Sequence, residues 1–267
     1  MMSLNPILID GEIMVITSES NKTVKWLESL RTKKYRQEYS AFLAEGERLV
    51  KDGLNYLAPK LMVFSESYYN NSDCTFCKEP FVVSDSIFRK ISETVNPQGI
   101  MAVFPIRREK FSDFDRQGGL LLLNKIMDPG NLGTMIRTAE AAGFSHVVLD
   151  KGCVDIYNPK VVRSTMSSLF RVHVYQQEDL CNVIADLKSA YQVYAAAYDE
   201  SAVSVFQTQF GKKSAIIIGN EANGIERSVL EEAEQVVYIP MQGSIESLNA
   251  SVSAAILMYE YFRQINR

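Results

Sequence analysis

Two hydrophobic patterns alternate along this chain: short unbroken apolar runs, and apolar positions spaced at helical intervals. The runs at residues 120–123 and 215–218 are of the kind expected for strands covered on both faces. Shorter runs predict further strands at 146–149, 172–175, 192–196 and 236–239, and the helical spacings between them predict helices at 131–142, 159–167, 179–190 and from 226. At the end of the chain, Leu248, Val252, Ile256 and Tyr259 mark one helical face and Ala250, Ala254, Leu257 and Tyr261 another. That pattern predicts a closing helix that is apolar nearly all round and therefore buried, with Ser247 as its N-cap. A weaker alternation comes first. Strands are expected at 41–44, 61–64, 81–83 and 99–104, helices at 47–54, 86–92 and from the Ser20-Asn21 cap to about 31, and a polar loop at 70–77. The polar, charged stretch at 105–119 separates the two halves. The expected organisation is α/β throughout: a leader at 1–13, a small α/β domain at 14–105, a linker at 106–118, and a parallel-sheet domain between helical layers at 119–267.

Composition narrows the class. With 46% hydrophobic and 22% charged residues the chain reads as soluble and globular, and no stretch approaches the ~18 apolar residues of a membrane span. Asp10 and Glu12 interrupt the only apolar run near the start that could resemble a signal peptide, so the expected compartment is the cytoplasm. Cys74, Cys77, Cys153 and Cys181 are too few and too scattered for a disulfide framework. The 74/77 pair has CxxC spacing, but with His146 and His173 the only histidines no four-ligand zinc set is expected. The net charge is −4, yet Lys22, Lys25, Arg31, Lys33, Lys34 and Arg36 face only Glu28 within residues 22–36. Such a cluster can neutralise phosphates, with Lys22, Lys25, Lys33 and Lys34 the candidate contacts; on charge alone a solvated helix face is the commoner origin.

Candidate chemistry sits in three loops that follow three of the expected buried strands at their carboxyl ends, where open α/β sheets bind ligands. The first, residues 124–143, reads NKIMDPGNLGTMIRTAEAAG. Leu132, Met135, Ile136 and Ala139 make its core face and point Arg137 the other way; alone, Arg137 is an ordinary surface residue and Asn131 an ordinary helix cap. The second, GNEANGI at 219–225, offers glycine turns that let backbone approach a ligand, without the GxGxxG dinucleotide fingerprint. The third is IPMQGSIESLNASV at 239–252.

In order and spacing these three blocks resemble the SpoU-type (TrmH) family of RNA ribose 2′-O-methyltransferases, members of the SPOUT class, over residues 118–263. The stretch FLAEGERLV at 42–50 is similar to the L30e-like substrate-binding domain that many members carry first. The resemblance implies an α/β fold in which a knotted parallel-sheet domain, its last helix threaded into a trefoil knot, follows a small L30e-like domain. It implies S-adenosylmethionine as cofactor, held by Gly219, Asn220, Ile239, Met241, Gly243 and Leu248 and needing no metal. By family position Asn131, Arg137, Glu221, Ser247 and Asn249 surround the reacting ribose. The resemblance also implies a homodimer through the C-terminal domain, with Arg137 working beside the partner's cofactor, and an RNA substrate, ribosomal RNA favoured over tRNA. A tRNA enzyme, a methyltransferase for small molecules and a non-catalytic RNA-binding member are the alternatives; the last is disfavoured by the intact polar set.

Overall fold

The computed structural model describes residues 8–9, 12–245 and 247–266, which divide into two compact units: residues to Arg107 with Tyr157–Arg163, and Arg108–Ile156 with Ser164 onward. Most of the leader expected at 1–13 lies outside the described residues. Its described part is the backbone of Leu8–Ile9 (β1) and Glu12–Ile13 (β2), an antiparallel pair.

The first unit is built on a four-stranded sheet. Its elements are α1 (Lys22–Ser29), α2 (Lys33–Tyr39), β3 (Ala41–Glu45), α3 (Glu47–Leu54), β4 (Leu61–Ser65), α4 (Glu66–Asn71), β5 (Pro80–Val83), α5 (Asp85–Ile91) and β6 (Ile100–Pro105). The sheet order is β3-β6-β4-β5, antiparallel except for the β4/β5 pair. Val24 and Leu27 of α1 and Ile87 and Phe88 of α5 bury against Leu43, Val63, Met101 and Val103 of the sheet. Each such side chain contributes about 1.5–3 kcal/mol of transfer free energy. Asn21 caps α1, its Oδ1 accepting from the Thr23 and Val24 amides.

Two helices depart from the sequence reading. Residues 33–39 have no apolar stripe, yet α2 forms; its one buried side chain is Arg36, which donates to the carbonyls of Leu30 (2.9 Å) and Arg31 (2.6 Å). The expected loop at 70–77 begins with the end of α4, started by Ser65, whose Oγ accepts from the Tyr68 amide, and held by Tyr68 stacking on Phe64 and Tyr69 meeting the same ring edge-on.

The second unit holds β7 (Leu120–Leu123), α6 (Pro129–Ala141), β8 (His146–Asp150), β9 (His173–Gln177), α8 (Leu180–Leu187) and β10 (Gln192–Ala196). It continues with β11 (Val203–Ser204), β12 (Ser214–Ile218), α9 (Arg227–Glu231), β13 (Gln235–Tyr238) and α10 (Ala250–Ile265), while α7 (Pro159–Ser164) crosses the division between the units. All seven strands are parallel, in the order β11-β13-β10-β12-β7-β8-β9. The all-apolar β7 and β12 lie side by side at the centre, Leu121 opposite Ile216, and every residue of both is buried. The helix expected at 159–167 stops at Ser164, because Met166 and Ser167 take positive φ before a 3-10 turn at Ser168–Phe170.

The closing helix is less buried than its composition predicts. Ala250, Ala254, Leu257 and Tyr261 face the interior, where Tyr261 packs 4.8 Å from the Phe144 ring and donates to the Lys212 carbonyl. Of the other expected face Val252 and Tyr259 are exposed and Leu248 and Ile256 half-buried, and Phe262 beside them is exposed too. Its cap also differs. Ser247 is three residues short of the first helical residue, and Asn249 caps instead, Oδ1 accepting from the Ser251 (2.9 Å) and Val252 (3.4 Å) amides.

Candidate active site

The carboxyl ends of β7, β12 and β13 open into the three loops, and one residue assigned no role from the sequence ties the first of them to the end of β8 and to the loop after β12. Asn124, buried directly after the β7 leucines, donates through Nδ2 to Asp150 (2.6 Å) and Glu226 (3.2 Å) and accepts the Glu226 amide on Oδ1 (2.8 Å). An asparagine there is readable as the first polar residue after an unbroken apolar strand, but its partners lie 26 and 102 residues away. Lys125 takes φ +55°, with its amide on Asp150, its carbonyl accepting from Asn220 Nδ2 and its ammonium on Glu226. That contact with Lys125, aided by Asn124, holds the Glu226 carboxyl below the usual carboxylate range. Cys153 belongs to the same base: Sγ accepts from the Ile126 amide and donates to the Leu123 carbonyl, and burial pushes the thiol up, out of the reactive range.

Helix α6 starts two residues earlier than its sequence suggests. Pro129 occupies the first turn, where its missing N–H costs nothing, and Asp128 is the cap, Oδ1 accepting from the Asn131 amide (2.8 Å). Asn131 is therefore inside the helix, and its side chain is free for another task. The glycine loop is tight: Asn220 and Gly224 exchange backbone hydrogen bonds (2.9 and 3.0 Å), and Asn220 Oδ1 accepts from the amides of Ala222 and Asn223. Gly219 sits so close beneath this turn that a Cβ there would lie 2.3 Å from the Gly224 carbonyl carbon and the Ile225 nitrogen.

Between the glycine loop and the third loop lies a cavity of about 640 Å³, within the usual range for small-molecule sites. Gly219, Asn220, Ile239, Met241, Gly243 and Leu248, the residues expected to hold a cofactor, all line it, and so do Glu221 and Ser247. Glu246 lies outside the described residues.

At the cavity a polar chain crosses all three loops. Asn249 Nδ2 donates to Asn131 Oδ1 (3.0 Å), and Asn131 Nδ2 donates to Glu221 Oε1 (2.9 Å). Chemistry fixes the direction of this chain. An ionised carboxylate only accepts, so Asn131 turns its amide to Glu221 and its oxygen to Asn249, whose own oxygen is taken by the α10 amides. Glu221 also draws in the amides of Met127 (3.5 Å) and Asp128 (3.4 Å). The same side chain that caps α10 therefore positions Asn131, so the helix start and the site form together.

Arg137 stands apart from this chain. It is exposed on the side of α6 opposite Leu132, Met135, Ile136 and Ala139, and no hydrogen bond or ion pair joins it to another described residue. Of the six clustered cations, Lys22, Lys25, Lys33 and Lys34 are exposed, whereas Arg31 and Arg36 are bound to backbone carbonyls and drop out of the expected patch.

A parallel α/β sheet with a small-molecule cavity and a convergent polar set at its carboxyl edge defines a ligand-binding, catalytic class of fold. Residues 119–259 match the model of the SpoU rRNA methylase family, and residues 21–102 match that of the MRM3-like substrate binding domain. The 23S rRNA (guanosine(2553)-2′-O)-methyltransferase RlmP of Bacillus subtilis (strain 168) is 37% identical over 91% of this chain and 97% of its own length. A solved structure of a TrmH-family protein from Porphyromonas gingivalis superposes with TM-score 0.80 at 33% identity, covering 91% of this chain and 98% of that one. An AdoMet-bound rRNA methyltransferase from Sinorhizobium meliloti superposes with TM-score 0.83 at 28% identity over 94% of this chain and 97% of that one. The chain belongs to the SpoU rRNA methylase family.

Proposed function

We propose that this protein transfers a methyl group from S-adenosylmethionine to a ribose 2′-hydroxyl of RNA, with large-subunit ribosomal RNA favoured over tRNA. The observation that carries the reading is the Glu221–Asn131–Asn249 chain at the cavity lined by Gly219, Ile239 and Leu248. The cavity fits the cofactor: it has the size, it is walled by Ile218, Leu248 and Leu257, and the bare Gly219 lets the glycine loop close tightly on its rim. The named substrate of the Bacillus subtilis relative supports ribosomal RNA.

When bound, S-adenosylmethionine supplies an electrophilic methyl on a sulfonium. The protein must then hold the 2′-oxygen in line and ease removal of its proton. Glu221, which accepts from Asn131, is the candidate acceptor for that proton, with Asn131 and Asn249 to orient it and the ribose. Ser247 lines the cavity as a substrate contact; its expected role as the helix cap belongs to Asn249. Arg137 offers only donors, so its work is to grip a phosphate and stabilise the developing alkoxide.

Arg137's isolation within one chain and the exposed Val252, Tyr259 and Phe262 of α10 fit a homodimer that joins this face to a second copy and brings Arg137 to the partner's site. The trefoil knot and a cytoplasmic location belong to the same reading. Among the described residues no helix is long and apolar enough to cross a membrane.

Incubation with labelled S-adenosylmethionine and a large-subunit rRNA transcript is expected to yield label in a 2′-O-methylnucleoside after nuclease digestion. Label in a base instead would overturn the reading. Changing Lys22, Lys25, Lys33 and Lys34 to Ala should weaken RNA binding and flatten its log-log salt dependence by up to about one unit per lost phosphate contact, leaving cofactor affinity unmoved. An unchanged slope would return the four lysines to the solvated surface.

A further inference from the structure

Among the exposed lysines of the first unit lies a cluster of rings that the chemistry above does not use. Tyr35 and Tyr39 are one turn apart on α2 and stack with centroids 6.2 Å apart and 18° between planes. The Trp26 ring of α1 meets Tyr39 edge-on at 6.1 Å. Tyr39 is 41% exposed, and the packing that holds it is backbone as much as ring: Lys60 Nζ donates to the Tyr39 (2.7 Å) and Ser40 (3.1 Å) carbonyls, fixing the end of α2. The result is an aromatic surface in which Tyr39 is open to water and Tyr35 and Trp26 are half-buried.

Positive charge surrounds it. Lys34 lies over the Tyr35 ring, 5.6 Å from its centroid, and Lys22 is one turn from Trp26 on α1. Lys22, Lys25, Lys33 and Lys34 make no ion pair among the described residues. The acidic neighbours are few: Glu28 is engaged by Lys90 at 3.7 Å, and Glu38 is exposed on α2. A solvated helix face would need no aromatic rings, and a protein-docking patch would not need four uncompensated lysines.

We infer that Tyr35 and Tyr39 form a stacking platform for unpaired nucleobases of the RNA, with Lys22, Lys25, Lys33 and Lys34 on the flanking phosphates. The inference rests on the proposed RNA substrate and adds its class at this surface: a single-stranded loop or bulge, not a continuous duplex. Duplex bases are stacked on one another and present no free face to a ring, whereas a loop base can splay onto an aromatic side chain. The charge matches the backbone of that strand.

Trp26 is the only tryptophan of the chain, and it touches Tyr39, so its fluorescence reports on the platform. Full-length protein is titrated with a single-stranded 12-mer RNA and with the blunt two-strand duplex it forms with its complement, for wild type and for Tyr39→Ala, Tyr39→Leu and Tyr39→Phe. Tyr39→Leu keeps an apolar contact for Trp26 if the alanine variant folds poorly. The platform predicts quenching by the single strand at lower concentration than by the duplex. It also predicts binding weakened roughly 5- to 150-fold by Ala and Leu, the scale of one lost base stack, with Phe near wild type. Equal affinity of wild type and both the Ala and Leu variants, or equal response to duplex, would overturn it. Methyl transfer by the wild type is measured on the same preparation. Transfer with unaltered Tyr39 variants removes the platform and leaves the activity; tight single-strand binding without transfer does the reverse.

Discussion

Gly219→Ala is expected to lower affinity for S-adenosylmethionine by about 100-fold or more. The added methyl would sit 2.3 Å from the Gly224 carbon and the Ile225 nitrogen and 2.6 Å from the Gly224 oxygen, all of them backbone atoms that cannot rotate away. The glycine loop must therefore lift, and the Asn220–Gly224 hydrogen-bond pair that shapes it would open. Overpacking of this kind costs about 1–3 kcal/mol, enough to lower the melting temperature of a unit this size by several degrees without unfolding it. The larger loss is in the site, because the energy needed to hold the loop in its binding position, at the upper end of that range, is worth roughly 10²-fold in affinity. Titration calorimetry on a variant that melts cooperatively measures it. Wild-type affinity in Gly219→Ala would mean that the cofactor does not rest on this loop.

Arg137→Lys should lower the methyl-transfer rate by roughly 10²-fold or more while leaving the fold and both binding steps nearly intact. Lysine keeps the charge but loses the planar fork that can hold a phosphate or alkoxide oxygen at two points. One preorganised charge contact of this sort is worth about that factor. The side chain is exposed and makes no hydrogen bond or ion pair with a described residue of its own chain, so the substitution should shift stability by less than about 0.5 kcal/mol. Sedimentation mass belongs to the same experiment, because the proposed role places Arg137 at the second copy's site. A dimeric Arg137→Lys protein that binds RNA and S-adenosylmethionine and methylates at the wild-type rate would remove Arg137 from the chemistry.

The reach of the sequence can be judged element by element. β7, β10 and α3 occupy the residues their patterns predict, because their buried positions alone decide the period. Helix α2 escapes that logic, since its buried anchor is Arg36, an arginine whose partners are carbonyls of the preceding turn. The two-residue β11 is too short to carry a period at all. For α10 the apolar composition is real but its meaning differs: one face fills the core and the other stays partly open in a single chain. Composition cannot separate burial inside a chain from burial against a second one.

In the site, glycine spacing and strand-end position pointed to the loops, and the structure joins Asn131, Glu221 and Asn249 across them. The assignment of caps was not legible in the same way. Ser247, Asp128, Asn131 and Asn249 are all good cap residues, and which one serves depends on where each helix starts, which Pro129 and the packing of α10 decide. Asn124 was missed because its value lies in Asp150 and Glu226, brought to it only by parallel strand pairing and the loop after β12.

The acceptor in the proposed reaction is a ribose 2′-hydroxyl of RNA. The most direct test maps the modified nucleotide in a large-subunit rRNA transcript and repeats the reaction with a single 2′-deoxy substitution at that nucleotide. The account predicts full methylation of the ribose form, with the product resistant to alkaline cleavage at that linkage, and none of the deoxy form although it binds equally well. Methylation that survives the 2′-deoxy substitution would contradict it.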